Sequence, residues 1–122
     1  MDVEAHNNLG VAYHRIGLLE KAIEHYQVSL RLKPDFPEGH SNMGVAYQIK
    51  GMIDKAIEHY QEALRLRPTY PVAHNNLGRA YYDKGLLDKA LEHYQIALRL
   101  RPDFPEAQDN IKKILGRSNR KP

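Results

Sequence analysis

The chain has 122 residues, with 42% hydrophobic and 27% charged side chains, a globular balance on the scale of one ordinary domain rather than a disordered one. It contains no Cys, which excludes a disulfide framework and thiolate metal sites. The formal charge of +3 is too mild to imply nucleic acid, no apolar run reaches the length of a membrane span, and Met1-Asp2 with Glu4 does not read as a signal peptide. A cytoplasmic protein is expected.

The first predicted element runs from Val3 to about Ile16, with Leu9, Ala12, Tyr13 and Ile16 at helical spacing and Asp2 placed to cap it. Gly17 breaks the pattern. A second helix runs from about Leu19 to Leu32, carrying Ala22, Ile23, Tyr26, Leu30 and Leu32, with Glu20 in its first turn where the helix dipole favours acid. Pro34 ends it, and Pro37 opens the next helix at a position whose missing N–H costs nothing. The pattern then repeats. Gly10, Gly44 and Gly78 are spaced by 34 residues, and so are Tyr13, Tyr47 and Tyr81 and Pro34, Pro68 and Pro102. Three units follow, over 3–36, 37–70 and 71–104, within one domain spanning 1–122. In each, the small pair typified by Gly10 and Ala22 is expected to let the two helices approach, with Tyr13 and Tyr26 filling the space beside it. Gly17, Gly51 and Gly85 suit a left-handed turn between antiparallel helices. A last helix is expected over about 105–115. Its polar Lys112 and Lys113 make a wet outer face, its apolar stripe is Ala107, Ile111, Ile114 and Leu115, and residues 116–122 read as a tail.

These residues resemble the tetratricopeptide repeat, whose pattern is W-x2-L-G-x2-Y, then A-x3-F, then P. The first unit gives His6-x2-Leu9-Gly10-x2-Tyr13, Ala22-x3-Tyr26 and Pro34. The second gives His40, Met43, Gly44, Tyr47, Ala56, Tyr60 and Pro68, and the third His74, Leu77, Gly78, Tyr81, Ala90, Tyr94 and Pro102. His for Trp and Tyr for Phe are the consistent departures. The resemblance implies an all-α, right-handed superhelical solenoid of three helix-turn-helix units plus a C-terminal capping helix. It also implies a concave groove lined by the first helices, which binds protein or peptide without catalysis.

The residues implied for that groove are Asn7, Asn8, Val11, Asn42, Val45, Ile49, Asn75, Asn76, Arg79, Tyr82 and Asn110. Asn8, Asn42, Asn76 and Asn110 form a ladder at 34-residue steps. An amide side chain can pair with both polar groups of a peptide bond, so such a row could hold an extended chain. The repeats are similar to those of O-linked N-acetylglucosamine transferase superhelices, which carry such a ladder; the shared stretches are Ala5-His6-Asn7-Asn8-Leu9 and Leu32-Lys33-Pro34-Asp35-Phe36-Pro37. Hydrogen bonding between helices is the other reading of the same row. Val11, Val45, Ile49 and Tyr82 add apolar contact surface. The family's clamp for a C-terminal carboxylate wants Lys, Asn, Asn, Lys and Arg where this chain has Asn7, Val11, Asn42, Val72 and Asn76, so only Asn42 matches.

No catalytic constellation is present: no phosphate-binding Gly loop and no nucleophile elbow. Six of the seven His recur with the repeat and so are expected to lie one repeat apart, as half-buried hairpin residues rather than metal ligands. No cofactor, metal, nucleic acid or membrane is expected. Two alternatives to a binding scaffold remain: an engineered or excised scaffold without a dedicated ligand, and a self-assembling structural module. The expected state is a monomer in dilute solution, with end-to-end stacking open through the first hairpin's uncovered face.

Overall fold

The computed structural model describes residues 2–119 and contains, among them, seven α-helices and no strand. They are α1 (Val3–Arg15), α2 (Leu19–Leu32), α3 (Pro37–Ile49), α4 (Ile53–Leu66), α5 (Pro71–Asp83), α6 (Leu87–Leu100) and α7 (Pro105–Asn119). The local signals act where the sequence puts them. Asp2 caps α1, its carboxylate accepting from the N–H of Ala5 at 2.8 Å. Prolines open α3, α5 and α7. Gly17, Gly51 and Gly85 have φ of 84°, 83° and 81°, the left-handed region that only glycine enters without strain. Around Gly17 the N–H of Leu18 returns to the carbonyl of Tyr13 at 2.9 Å, closing the end of α1 with a six-residue loop back.

The chain divides into two compact units, Met1–Pro68 and Thr69–Pro122, where the sequence reading has a single domain. The division falls at a repeat boundary, as it does where each hairpin touches only its neighbours. In the first unit α1 pairs with α2 and α3 with α4, and α2 lies against α3. Its core is Ala22, Ile23, Tyr26, Met43 and Ala46, with Val11, Tyr13, Leu30 and Tyr47 packed around it. Ser29, fully buried, donates its hydroxyl to the carbonyl of Val3 at 2.9 Å, so no polar atom is stranded there. In the second unit α5 pairs with α6, and α7 packs on α6. Ala97, Phe104 and Ala107 form the contact that seats α7, with Leu98 beside them.

Two local expectations change. The residue opposite Gly10 is the Tyr26 ring, not Ala22: a β-carbon on Gly10 would stand 2.4 Å from Tyr26 Cε1. Tyr60 stands over Gly44 in the same way and Tyr94 over Gly78, where the carbonyl oxygen of Ala90 also lies 3.1 Å from the would-be β-carbon, so there the expected glycine–alanine approach is present beside the ring. The glycine therefore makes room for an aromatic face, which buries more apolar area than a small-on-small contact. Second, α7 runs to Asn119 instead of ending near 115. Gly116 sits inside it with open space around its Cα, so it costs the helix only about 1 kcal/mol of propensity and does not stop it. Of the expected tail, residues 120–122 lie outside the described residues.

Candidate peptide-binding face

In the first unit, α1 and α3 carry the expected row. Asn8 is exposed, and Asn7, Val11, Asn42 and Val45 are half-buried. Ile49 is 55% exposed, the most open large apolar side chain of α3. The Asn42 amide donates to Asn7 Oδ1 at 3.1 Å, joining α3 to α1. Tyr60 donates its hydroxyl to Gln48 Oε1 at 2.9 Å, which orients both side chains on α3's side of the hairpin.

The second unit repeats the arrangement. Asn110 on α7 donates to Asn75 Oδ1 on α5 at 3.1 Å. The ladder is thus built into the fold: Asn42 and Asn110 each give one donor to an Asn of the preceding first helix, 35 residues back. Each keeps a second N–H and its own carbonyl for another partner. Asn75 is 1% exposed and its acceptor is taken, so it secures α7 rather than meeting a ligand, contrary to its place in the expected groove. Asn76 is also buried.

Beside Asn110 the second unit opens a cavity of about 190 Å³ lined by Arg79, Tyr82, Asp83, Tyr94, Asn110 and Lys113. Arg79, Tyr82 and Asn110 belong to the row implied by the resemblance; Asp83, Lys113 and, from the second helix, Tyr94 stand beside them. Tyr94 is buried apart from its access to this cavity, and burial pushes its hydroxyl up to about 12. Asp83 and Tyr82 add to the rise and Arg79 opposes it. The hydroxyl is therefore a neutral donor and acceptor at any physiological pH. Two cations, two phenols, an amide and one carboxylate converge on the cavity, a donor-rich set suited to an anionic or carbonyl group.

The repeat also contains a contact the sequence reading missed. His6 meets His25, His40 meets His59 and His74 meets His93, each pair at 3.1 Å between Nδ1 atoms. The members of a pair lie 19 residues apart on the two helices of one hairpin. That constant spacing is visible in the sequence, but comparing each His only with its equivalents 34 residues away hides it. Each second-helix His also lies against a Tyr ring: His25 and His59 stack on Tyr13 and Tyr47 at 17° and 22°, while His93 is tilted by 31° to Tyr81. Among the described residues no group of three or more His, Asp or Glu side chains is placed to hold a metal ion.

A family model described as "TPR repeat" matches residues 16–51 and 49–85, and one described as "Tetratricopeptide repeat" matches 71–104. Comparison with curated protein sequences gives no match. Among solved structures, the first TPR of Spaghetti (RPAP3) bound to the HSP90 peptide SRMEEVD is similar with a TM-score of 0.92 at 24% identity, over 97% of this chain and 94% of that one. The Sgt2 TPR domain from Aspergillus fumigatus gives 0.90 at 24% identity, over 98% and 82%. The MamA protein gives 0.75 at 31% identity, over 83% of this chain and 55% of MamA. The all-α repeat fold is common to all three. With family models covering most of its length, the chain belongs to the tetratricopeptide repeat family.

Proposed function

We propose that the chain is a non-enzymatic scaffold that binds an extended peptide or partner segment along its first helices, with an acidic side chain seated in the α5–α7 cavity. The observation that carries this reading is the convergence of Arg79, Lys113, Asn110 and the Tyr94 hydroxyl on one opening. A carboxylate there gains charge-assisted hydrogen bonds from Arg79 and Lys113, and Asp83 discriminates against a second carboxylate packed alongside. A similar domain, that of Spaghetti, is seen with an HSP90 peptide rich in acidic residues. The present chain has Asn7, Val11, Val72 and Asn76 where the carboxylate clamp wants other residues, so its acid recognition is assigned to an internal side chain rather than to a peptide's C-terminus.

By analogy with O-linked N-acetylglucosamine transferase superhelices, the role assigned to the Asn ladder is to hold the peptide main chain. Asn8, Asn42 and Asn110 retain capacity for that contact, whereas Asn76, the fourth member of the ladder, is buried. Val11, Val45, Ile49 and Tyr82 supply the apolar share of the same surface. The scaffold acts as a monomer, takes no nucleic acid or cofactor, and works in the cytoplasm. No described helix is long and apolar enough to cross a membrane.

The test is fluorescence anisotropy with a labelled, C-terminally amidated nonapeptide containing two separated Glu residues. Binding should be measurable at low salt, and R79A with K113A together should weaken it about tenfold or more, since hydrogen bonds to charged groups are each worth roughly 1.5–3 kcal/mol. An unchanged affinity in the double variant would remove the cavity from the account. No binding of any acidic or neutral peptide at millimolar concentration would favour a structural module instead.

A further inference from the structure

The three histidine couples have no part in peptide binding, yet each hairpin carries one in the same geometry. Ring centroids lie 5.3, 5.4 and 5.4 Å apart, with planes 25°, 28° and 21° from parallel, while the Nδ1 atoms are 3.1 Å apart. The centroid separation exceeds the N···N distance by about two ring radii. The imidazoles therefore meet edge to edge along the Nδ1···Nδ1 line and do not overlap face to face.

A contact of that kind holds one proton between two nitrogens: one donates, and the other offers its lone pair. In the second hairpin the assignment closes. His40 Nε2 is 2.9 Å from the carbonyl of Pro34, which can only accept, so His40 carries its proton on Nε2. Neutral His40 then has a bare Nδ1 and accepts from His59 Nδ1–H, which leaves the lone pair of His59 on its Nε2. One added proton goes to that Nε2 and leaves the contact intact. A second has only His40 Nδ1 to occupy, where it confronts the Nδ1–H of His59 head on.

We propose that the three couples form an acid-sensitive latch: each binds at most one extra proton while closed, and a second forces the first and second helices of its hairpin apart. The same Nδ1 contact, 3.1 Å long, ties all three hairpins, so each carries the latch.

The surroundings fit. On α4, Lys55 opposes a charge on His59 while Glu58 and Glu62 favour it; from α3, His40 opposes it, and Tyr47 lies parallel to its ring. From α2, Arg31 and the neutral Gln27 reach the cavity of about 480 Å³ that borders both His40 and His59. Burial is the largest influence, and the outcome is a His59 held below its ordinary value of 6.5. His93 is lowered in the same way, by burial, then His74 across the couple, with Lys89 adding to the effect and Glu92 opposing it. In the first hairpin Tyr13 lies parallel to His25, and Lys21 sits over the Tyr13 ring. A lowered folded value means the unfolded chain binds more protons. The stabilisation is then complete above pH 6.5 and is lost as pH falls from there through the folded value.

Imidazole ¹⁵N NMR on the intact chain tests the latch without a variant. At pH 8, His40 should show the Nε2–H tautomer and His59 the Nδ1–H tautomer. On acidification one ring of each couple should protonate while its partner stays neutral until the tertiary signals are lost. Thermal melts give the second readout. The Tm should fall by on the order of 10 °C between pH 7.5 and 5, and H25Q/H59Q/H93Q, which can hydrogen-bond but not titrate, should lose at least half of that dependence. Both rings of a couple protonating together in a still-folded chain would overturn the proposal, as would an identical pH dependence in the triple variant. If the triple variant does not fold, the NMR titration alone decides.

Discussion

A β-carbon on Gly44 would lie 2.5 Å from Cε1 of Tyr60, a ring with no exposed surface and with its hydroxyl bound to Gln48. The ring cannot retreat without giving up that bond, so G44A should destabilise the chain by about 1–3 kcal/mol in urea titration. Gly51 is a contrasting case: nothing lies within 4 Å of its would-be β-carbon, but its φ is 83°. G51A should cost about 1–2 kcal/mol through backbone conformation alone. A variant that removes the ring, such as Y60L, should therefore relieve G44A and leave G51A unaffected; relief of both would show that the two glycines serve one purpose. Buried phenols make a second residue-scale prediction. Burial pushes Tyr26 and Tyr94 up to about 12 from an ordinary 10. The folded chain keeps two phenolic protons that the unfolded chain releases, so this stabilisation is full below pH 10 and disappears as pH rises through 12. Absorbance at 295 nm should show part of the eight-tyrosine signal rising only near pH 12, together with unfolding. Complete ionisation by pH 10.5 in a folded chain would contradict it.

The elements owe their ends to residues that act locally, which is why most were legible in advance. Asp2, the prolines at 37, 71 and 105, and the left-handed glycines each decide a boundary through their own backbone or first-turn chemistry. The end of α7 was not legible, because a glycine in open space merely weakens a helix and stops it only when the chain turns there. Contacts across a hairpin were legible in part. Glycine under tyrosine needs the relative phase of two antiparallel helices, which a 34-residue comparison does not supply. The histidine couples were hidden for the same reason, and so was the use of Asn75 as a partner for Asn110. That Arg79, Tyr82 and Asp83 share one face of α5 follows from helical spacing, while the choice of that face as the groove came from the family resemblance. The seat of α7 gives the test at this scale. Phe104 is 5% exposed, packs with Ala97 and Ala107, and carries the Arg101 guanidinium 4.7 Å above its ring. F104A should cost about 3–5 kcal/mol, and removing residues from Pro105 onward should lower the Tm and expose Ala97 to solvent. An unchanged melting curve after that truncation would show that α7 is not a cap.

For the whole molecule, the proposal of a monomer meets its first check in exposed apolar side chains. Ile16 is 69% and Leu18 45% exposed at the end of the first hairpin, and Leu115 is 47% exposed on α7, whereas Ala107 and Ile114 of the same helix are buried. These are scattered side chains, of a kind that soluble monomers commonly show. Sedimentation velocity should give a single monomeric species up to about 100 μM, well above the range in which a specific interface of standard size associates. A stable dimer at micromolar concentration would favour the self-assembling module.

The central claim is that the first-helix face, with its α5–α7 cavity, is where a peptide lies. Its most direct test is ¹H–¹⁵N chemical-shift mapping during titration with the amidated, Glu-containing nonapeptide. The account predicts shifts at Arg79, Tyr82, Asn110 and Lys113, with further shifts on the α1 and α3 row at Asn8, Val45 and Ile49, and little change on the exposed faces of α2, α4 and α6. Shifts confined to those second-helix faces, with the cavity residues unmoved at saturation, would contradict it.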